Sequence, residues 1–260
     1  MAIIKTGNDR YEEYENLLLE RDQAKKDAES IWIAYTREFG QLITDIYQEE
    51  LECVKRKKII SYCQSMINRS CAVDQTAMNE WLRKELAAYY EHLKKLIKDN
   101  QACRDAKEVS AYELKRSKEL YHRLVKLLHP DVNPQTGLEP KLMELWERTV
   151  AAYHASNVRE LSELEVLTQK ALRELGISEI KVDIPDIEER IKELKNEIHD
   201  ITHAEPYIYK SILENDSTVK KHREELEATL DAYRRYRKEL DSAIEDIMRD
   251  GGITITWQMS

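Results

Sequence analysis

The chain has 260 residues, 35% of them charged and only 7% aromatic, and it carries a formal net charge of −9. With 6 Gly and 5 Pro it lacks the turn residues that a sheet-rich fold needs every ten or so positions, so an all-α protein of long helices is expected. An acidic chain is poorly suited to wrapping nucleic acid. No apolar run approaches the ~20 residues of a membrane span, and the opening MAIIKTGNDR lacks an apolar signal core. A cytoplasmic protein with neither a nucleic-acid nor a membrane partner is therefore expected.

Gly and Pro act as punctuation, and neither occurs between positions 40 and 130. They mark a head up to Gly7, breaks over 130–140, over 176–185 and at Pro206, and a tail after Gly251. The domains expected are a long-helix region over 1–75, a helical segment over 76–165 built around a central motif, a coiled-coil hairpin over 166–250 and a tail over 251–260. The expected architecture is elongated, made of long antiparallel helices.

In the first region Ala24, Ala28, Ile31, Tyr35, Phe39, Leu42 and Ile46 step by three and four, with Glu20, Lys25, Arg37 and Glu49 off that stripe. Gly40 weakens such a helix without having to end it. The polar NRSCAVDQTAMNE at 68–80 is the expected turn, and Asp74 is placed to cap a second helix. That helix carries Trp81, Leu82, Leu86, Tyr89, Tyr90, Leu93 and Leu96, and then either continues or bends at KDNQA, 98–102.

The four cysteines, Cys53, Cys63, Cys71 and Cys103, form no CxxC pair and are expected as free thiols without a metal. His199 and His203 lie four apart, as two ligands might, but no third ligand accompanies them, and a surface position near a helix end is expected. No Ser-His-Asp or Cys-His set or phosphate loop stands out, and pairs such as Glu188 with Lys192 fit solvated helix faces. The chain is expected not to be an enzyme and to need no cofactor.

The last third is the most regular. Ile187, Ile191, Leu194, Ile198 and Ile201 form one heptad-like run, and Leu226, Leu230, Tyr233, Leu240, Ile244 and Ile247 a second, with Arg237 intruding. They suit an antiparallel hairpin within one chain, or pairing between two chains. The final GGITITWQMS alternates like a short strand and is expected to be a docking tail.

The central motif is LYHRLVKLLHPDVNP, 120–134. At 3.6 residues per turn, Leu114, Tyr121, Leu124, Val125 and Leu128 share one side of a helix. Lys115, Lys118, His122, Arg123 and Lys126 share the other, with Glu119 among them. The apolar side widens through Leu120 and Leu127, enough to pack against two neighbouring helices. Pro130 must end the helix, a His in its last turn suits the dipole, and Asp131 with the following VNP is ordinary turn chemistry. A helix stop alone would explain those residues.

The wider pattern resembles the J domain of DnaJ-type co-chaperones. In that family a basic helix runs into an invariant His-Pro-Asp loop, and the next helix carries a bulky aromatic followed by Ala-Tyr. Here Tyr121, Arg123 and Leu124 lead into His129, Pro130 and Asp131, and Trp146 with Ala152 and Tyr153 fall at matching offsets. The resemblance covers positions 111–161. It implies that Leu142, Trp146, Val150 and Tyr153 pack back on Tyr121, Leu124 and Leu128. Three features depart from the family: its Tyr-x-x-Leu-Gly first-helix signature is missing, the loop over 132–140 is longer, and no fourth helix is recognisable. The helix over 81–97 is expected to supply the first helix's packing surface.

The resemblance further implies binding to a DnaK-type chaperone ATPase and acceleration of its ATP hydrolysis. Asp131 would make the central polar contact, with His129 and Pro130 fixing the loop that presents it. Lys115, Lys118, His122, Arg123 and Lys126, together with Tyr121, would face the partner, and the cations would steer the helix onto an acidic surface. Leu124, Leu128, Trp146 and Tyr153 would be structural. The helical arms would serve targeting or homo-oligomerisation through the heptads. The alternative is a coiled-coil adaptor whose J-like segment is degenerate.

Overall fold

The computed structural model describes residues 7–177 and 186–251. The head before Gly7, most of the break expected over 176–185 and nearly all of the strand-like tail lie outside them. Among the described residues every regular element is helical.

The first helix, α1, runs unbroken over Gly7–Asn68. It passes through Gly40, where there is little room for a side chain: a Cβ would lie 2.7 Å from Asn100 Oδ1 and 2.9 Å from Thr36 Cγ2. Helix α2, Gln75–Asp105, begins where expected. The Asp74 carboxylate accepts the amides of Thr76 and Ala77 at 2.8 and 3.2 Å, satisfying two of the donors a helix start leaves open. It continues through KDNQA without stopping.

Helix α3, Ala111–Leu128, starts in a reciprocal cap in which Ser110 Oγ accepts the Glu113 amide and Glu113 accepts the Ser110 amide. Pro130 terminates it. The longer loop holds a short helix, α4, Pro134–Leu138, and α5 follows over Pro140–His154 with its proline at the first turn, where no amide is needed. A turn with Ser156 at φ 51° leads into α6, Val158–Glu174, capped by Asn157. Gly176, at φ +70°, ends α6 in the left-handed conformation that favours glycine. The remaining helices are α7, Ile187–His203, α8, Lys210–Leu213, and α9, Asp216–Gly251.

The chain forms two compact units, each discontinuous in sequence: 1–30 with 107–208, and 31–106 with 209–260. Helix α1 is continuous and contributes to both. In the first unit α3, α5 and α6 pack on one another, with Leu120, Leu124, Val125, Leu128, Leu142, Leu161 and Leu164 all fully buried. Each such side chain contributes roughly 1.5–3 kcal/mol of burial. Leu19 of α1 joins this cluster. A neighbouring cluster joins Tyr14, Leu17 and Leu18 of α1 to Val132 of the loop and to Ile191 and Leu194 of α7. In the second unit Leu51, Ile59 and Cys63 of α1 pack with Met78, Leu82 and Leu86 of α2 and Ile244 of α9.

Of the two heptad runs, Ile191 and Leu194 of α7 pack with Tyr14, Leu17 and Leu18 of α1 in the first unit, and Ile244 of α9 packs with Leu51, Ile59 and Cys63 of α1 in the second. Helix α3 packs with α5, α6 and Leu19 of α1, and Leu82 and Leu86 of the helix over 81–97 belong to the core of the second unit. Helix α6, which the sequence reading did not single out, contributes Leu161, Leu164, Ala171 and Leu172 to the core of the first unit.

Candidate partner-binding loop

The residues 129–133 join α3 to the α4–α5 pair, and aromatic rings tie the flanking helices together. Tyr121 of α3 stacks on Tyr153 of α5 at 3.9 Å between ring centres, and Trp146 of α5 continues the stack at 6.1 Å from Tyr121. The His129 ring meets Trp146 edge-on at 4.9 Å. Leu142 is fully buried in the same cluster as Tyr121 and Tyr153, and Val150 is half-buried.

His129 is itself a structural part of the turn. It is buried, and burial pushes its pKa below the usual imidazole value. The neutral ring accepts the Asp131 amide at Nδ1, 3.1 Å away, which assigns its proton to Nε2. The His129 carbonyl accepts the amides of Val132 and Asn133 at 2.9 and 2.7 Å. Asn133 Nδ2 donates back to the Leu127 carbonyl at 2.8 Å. Pro130, half-buried, has no amide to satisfy. The bend is thus closed by its own hydrogen bonds, with Val132 and Asn133 pointing inward.

Asp131 is left at the surface, with its side chain 38% exposed, but it is not free. Its Oδ2 accepts the Tyr14 hydroxyl at 2.8 Å, and its Oδ1 lies 3.4 Å from the Arg190 guanidinium. Burial and the Asp131 carboxylate both push the Tyr14 phenol upward in pKa. A cavity of about 340 Å³ opens beside the carboxylate, lined also by Arg21, Glu193 and Glu197.

The basic side of α3 is only partly open. Lys115 and Lys118 are exposed. His122 is half-buried, and burial followed by Lys118 and Lys126 lowers its pKa. Arg123 is paired with Glu165 of α6 at 2.5 Å, and Lys126 with Glu15 of α1 at 2.8 Å. Tyr121 was expected to face a partner and does not. It is 2% exposed, its hydroxyl donates to Asp22 at 2.8 Å, and it belongs to the aromatic stack. Leu124, Leu128 and Tyr153 are buried and Trp146 half-buried, on the packing side where the sequence put them.

Three contributors were not foreseen. Tyr14 and Arg190 reach Asp131 from positions more than fifty residues away in sequence, where no local pattern marks them. Lys26, 5% exposed, donates to the Tyr153 carbonyl at 2.8 Å and to Ser117 Oγ at 3.2 Å, with its ammonium 3.9 Å from the Tyr153 ring centre. Burial lowers its pKa to about 8, against an upward pull from Asp27 and Glu29. The regular apolar stripe of α1 hides this lysine.

Among the described residues no three metal-ligating side chains converge. His199 and His203 are exposed and stack on each other at 3.9 Å. Cys53, Cys63 and Cys103 are buried free thiols and Cys71 is exposed. No described helix is long and apolar enough to cross a membrane. Compared with protein-family models, curated proteins and solved structures, the chain matches none of them.

Proposed function

We propose that this chain is a J-domain-like co-chaperone. It binds a DnaK-type chaperone ATPase in the cytoplasm and stimulates ATP hydrolysis through the His129-Pro130-Asp131 loop. The chain makes and breaks no bonds itself. The observation that carries the reading is the division of labour within the tripeptide: His129 is buried and shapes the turn, while the Asp131 carboxylate stays at the surface. The Tyr121–Trp146–Tyr153 stack supports it, because those are the positions by which the segment resembles the family.

Lys115 and Lys118 steer α3 onto an acidic surface of the ATPase. Exposed ion pairs contribute only about 0–1 kcal/mol each, so the complex is transient and weakened by salt. The helical arms, α9 above all, carry targeting or self-association.

A second reading is favoured by one observation. The Asp131 carboxylate is already engaged by Tyr14 and Arg190, as it would be in an adaptor whose J-like segment only braces the fold. Capture of a purified DnaK-type ATPase in the presence of ATP separates the two. The co-chaperone reading expects wild type to retain the ATPase at low salt and Asp131→Asn to lose it. Equal retention by both proteins, or none by either, favours the adaptor.

A further inference from the structure

Resting on that reading, we infer that α1 and α7 form an autoinhibitory clasp on the His-Pro-Asp loop, so that Asp131 reaches the ATPase only after its contacts with Tyr14 and Arg190 are given up.

Two consecutive residues of α1 occupy two groups that the reading assigns to the partner. Tyr14 donates its hydroxyl to Asp131 at 2.8 Å, and Glu15 pairs with Lys126 at 2.8 Å. Glu15 therefore stands where an acidic residue of the ATPase would bind, and Tyr14 fills one of the two carboxylate oxygens. Arg190 of α7 faces the other oxygen. A partner that needs this carboxylate competes with groups already held in place.

The clasp is set firmly at one end and loosely at the other. The Tyr14 ring is 3% exposed and packs with Leu17, Leu18, Val132, Ile191 and Leu194, so its hydroxyl has little freedom to turn away. By contrast, only Ile191 and Leu194 of α7 are buried. Ile187 and Ile198 are only partly buried against the same cluster, and surface ion pairs, such as Lys195 with Glu13 and Glu197 with Lys25, each at 2.7 Å, complete its grip. A helix with few buried apolar residues and exposed ion pairs belongs to the low-stability end of a structure and opens before the core does. Val132 links the two ends: it is buried in the cluster that α7 covers, one residue from Asp131.

The physical consequence is a population effect. A binding-competent state that is only fractionally populated raises the apparent dissociation constant by the inverse of that fraction and leaves the properties of the bound complex unchanged. Weakening the clasp therefore shifts the concentration needed for stimulation and not the maximal rate.

The test is a titration of DnaK-type ATPase stimulation with the full chain as wild type, Arg190→Ala, Arg190→Lys, Tyr14→Phe and Asp131→Asn. The Arg190 side chain is 41% exposed and lies outside the apolar cluster, and Tyr14→Phe keeps the buried ring, so folding is preserved. Arg190→Ala and Tyr14→Phe are expected to lower the half-saturating concentration by about two- to fivefold at an unchanged plateau. Arg190→Lys keeps the charge and stays near wild type, and Asp131→Asn is inactive. If Arg190→Ala and Tyr14→Phe titrate like wild type while Asp131→Asn is inactive, the clasp is overturned and the co-chaperone reading stands. If all five proteins are inert, both fall.

Discussion

Tyr121 and Tyr153 lie 3.9 Å apart and 7° from parallel, one on each helix that flanks the His-Pro-Asp turn. Two further groups fix the pair: Asp22 accepts the Tyr121 hydroxyl, and Gln23 accepts the Tyr153 hydroxyl at 2.9 Å. Adjacent residues of α1 thus lock both rings. Truncating Tyr153 to alanine removes the stack and opens a cavity under Lys26. It is expected to cost about 3–5 kcal/mol in urea unfolding. Tyr153→Phe keeps the ring and loses only the bond to Gln23, for about 1 kcal/mol.

Gly40 gives a prediction whose sign is opposite to the usual one. In an exposed helix interior, Gly→Ala stabilises by about 1 kcal/mol through backbone entropy. Here the new methyl group would sit 2.7 Å from Asn100 Oδ1, and Asn100 is itself buried. Gly40→Ala is therefore expected to destabilise by about 1–3 kcal/mol, the range for overpacking. Thermal unfolding of the single variant decides it, and a raised midpoint would show that α2 does not approach α1 so closely.

The buried Lys26 predicts an alkaline gain. In the folded chain its proton leaves at about 8, whereas an unfolded lysine keeps it to about 10.5. Between those values the unfolded state binds more protons, so stability rises with pH across that window. Wild type should gain on the order of 1–3 kcal/mol between pH 7.5 and pH 10.5 relative to Lys26→Met, which has no proton to lose. Paired denaturant curves at several pH values supply the comparison. Parallel pH dependence in the two proteins would mean that the lysine is solvated.

His129 predicts an acid loss of the same origin. Its folded pKa lies below the ordinary value near 6.5 because burial disfavours the imidazolium. As pH falls from about 6.5 toward that lower value, the unfolded chain takes up the proton first and stability drops. Protonation also removes the Nδ1 acceptor for the Asp131 amide. His129→Gln should lose less stability between pH 7 and pH 5.5 than wild type. His122 remains in both proteins and contributes equally, so the difference isolates His129.

The helical class, the cap at Asp74, the end of α3 at Pro130 and the packing side of α3 were legible because each rests on local chemistry or a 3.6-residue period. The same period marks α6, with Leu161, Leu164, Ala171 and Leu172 buried at steps of three, seven and one. The heptad runs show the limit of periodicity. Ile191 and Leu194 declare an apolar face, and the cluster that covers it holds Tyr14 and Leu17 of α1, more than 170 positions away. Which neighbour covers a face is a tertiary fact. The same holds for Asp131, whose contact with Tyr14 spans 117 positions.

The central claim is that one surface carboxylate carries a signal to an ATPase, and single-turnover ATP hydrolysis by a DnaK-type chaperone tests it most directly. The purified chain at low salt is expected to accelerate hydrolysis. Asp131→Asn, nearly isosteric and with an unchanged unfolding midpoint, is expected to leave the basal rate. Acceleration of equal size by both proteins, or by neither, would contradict the account.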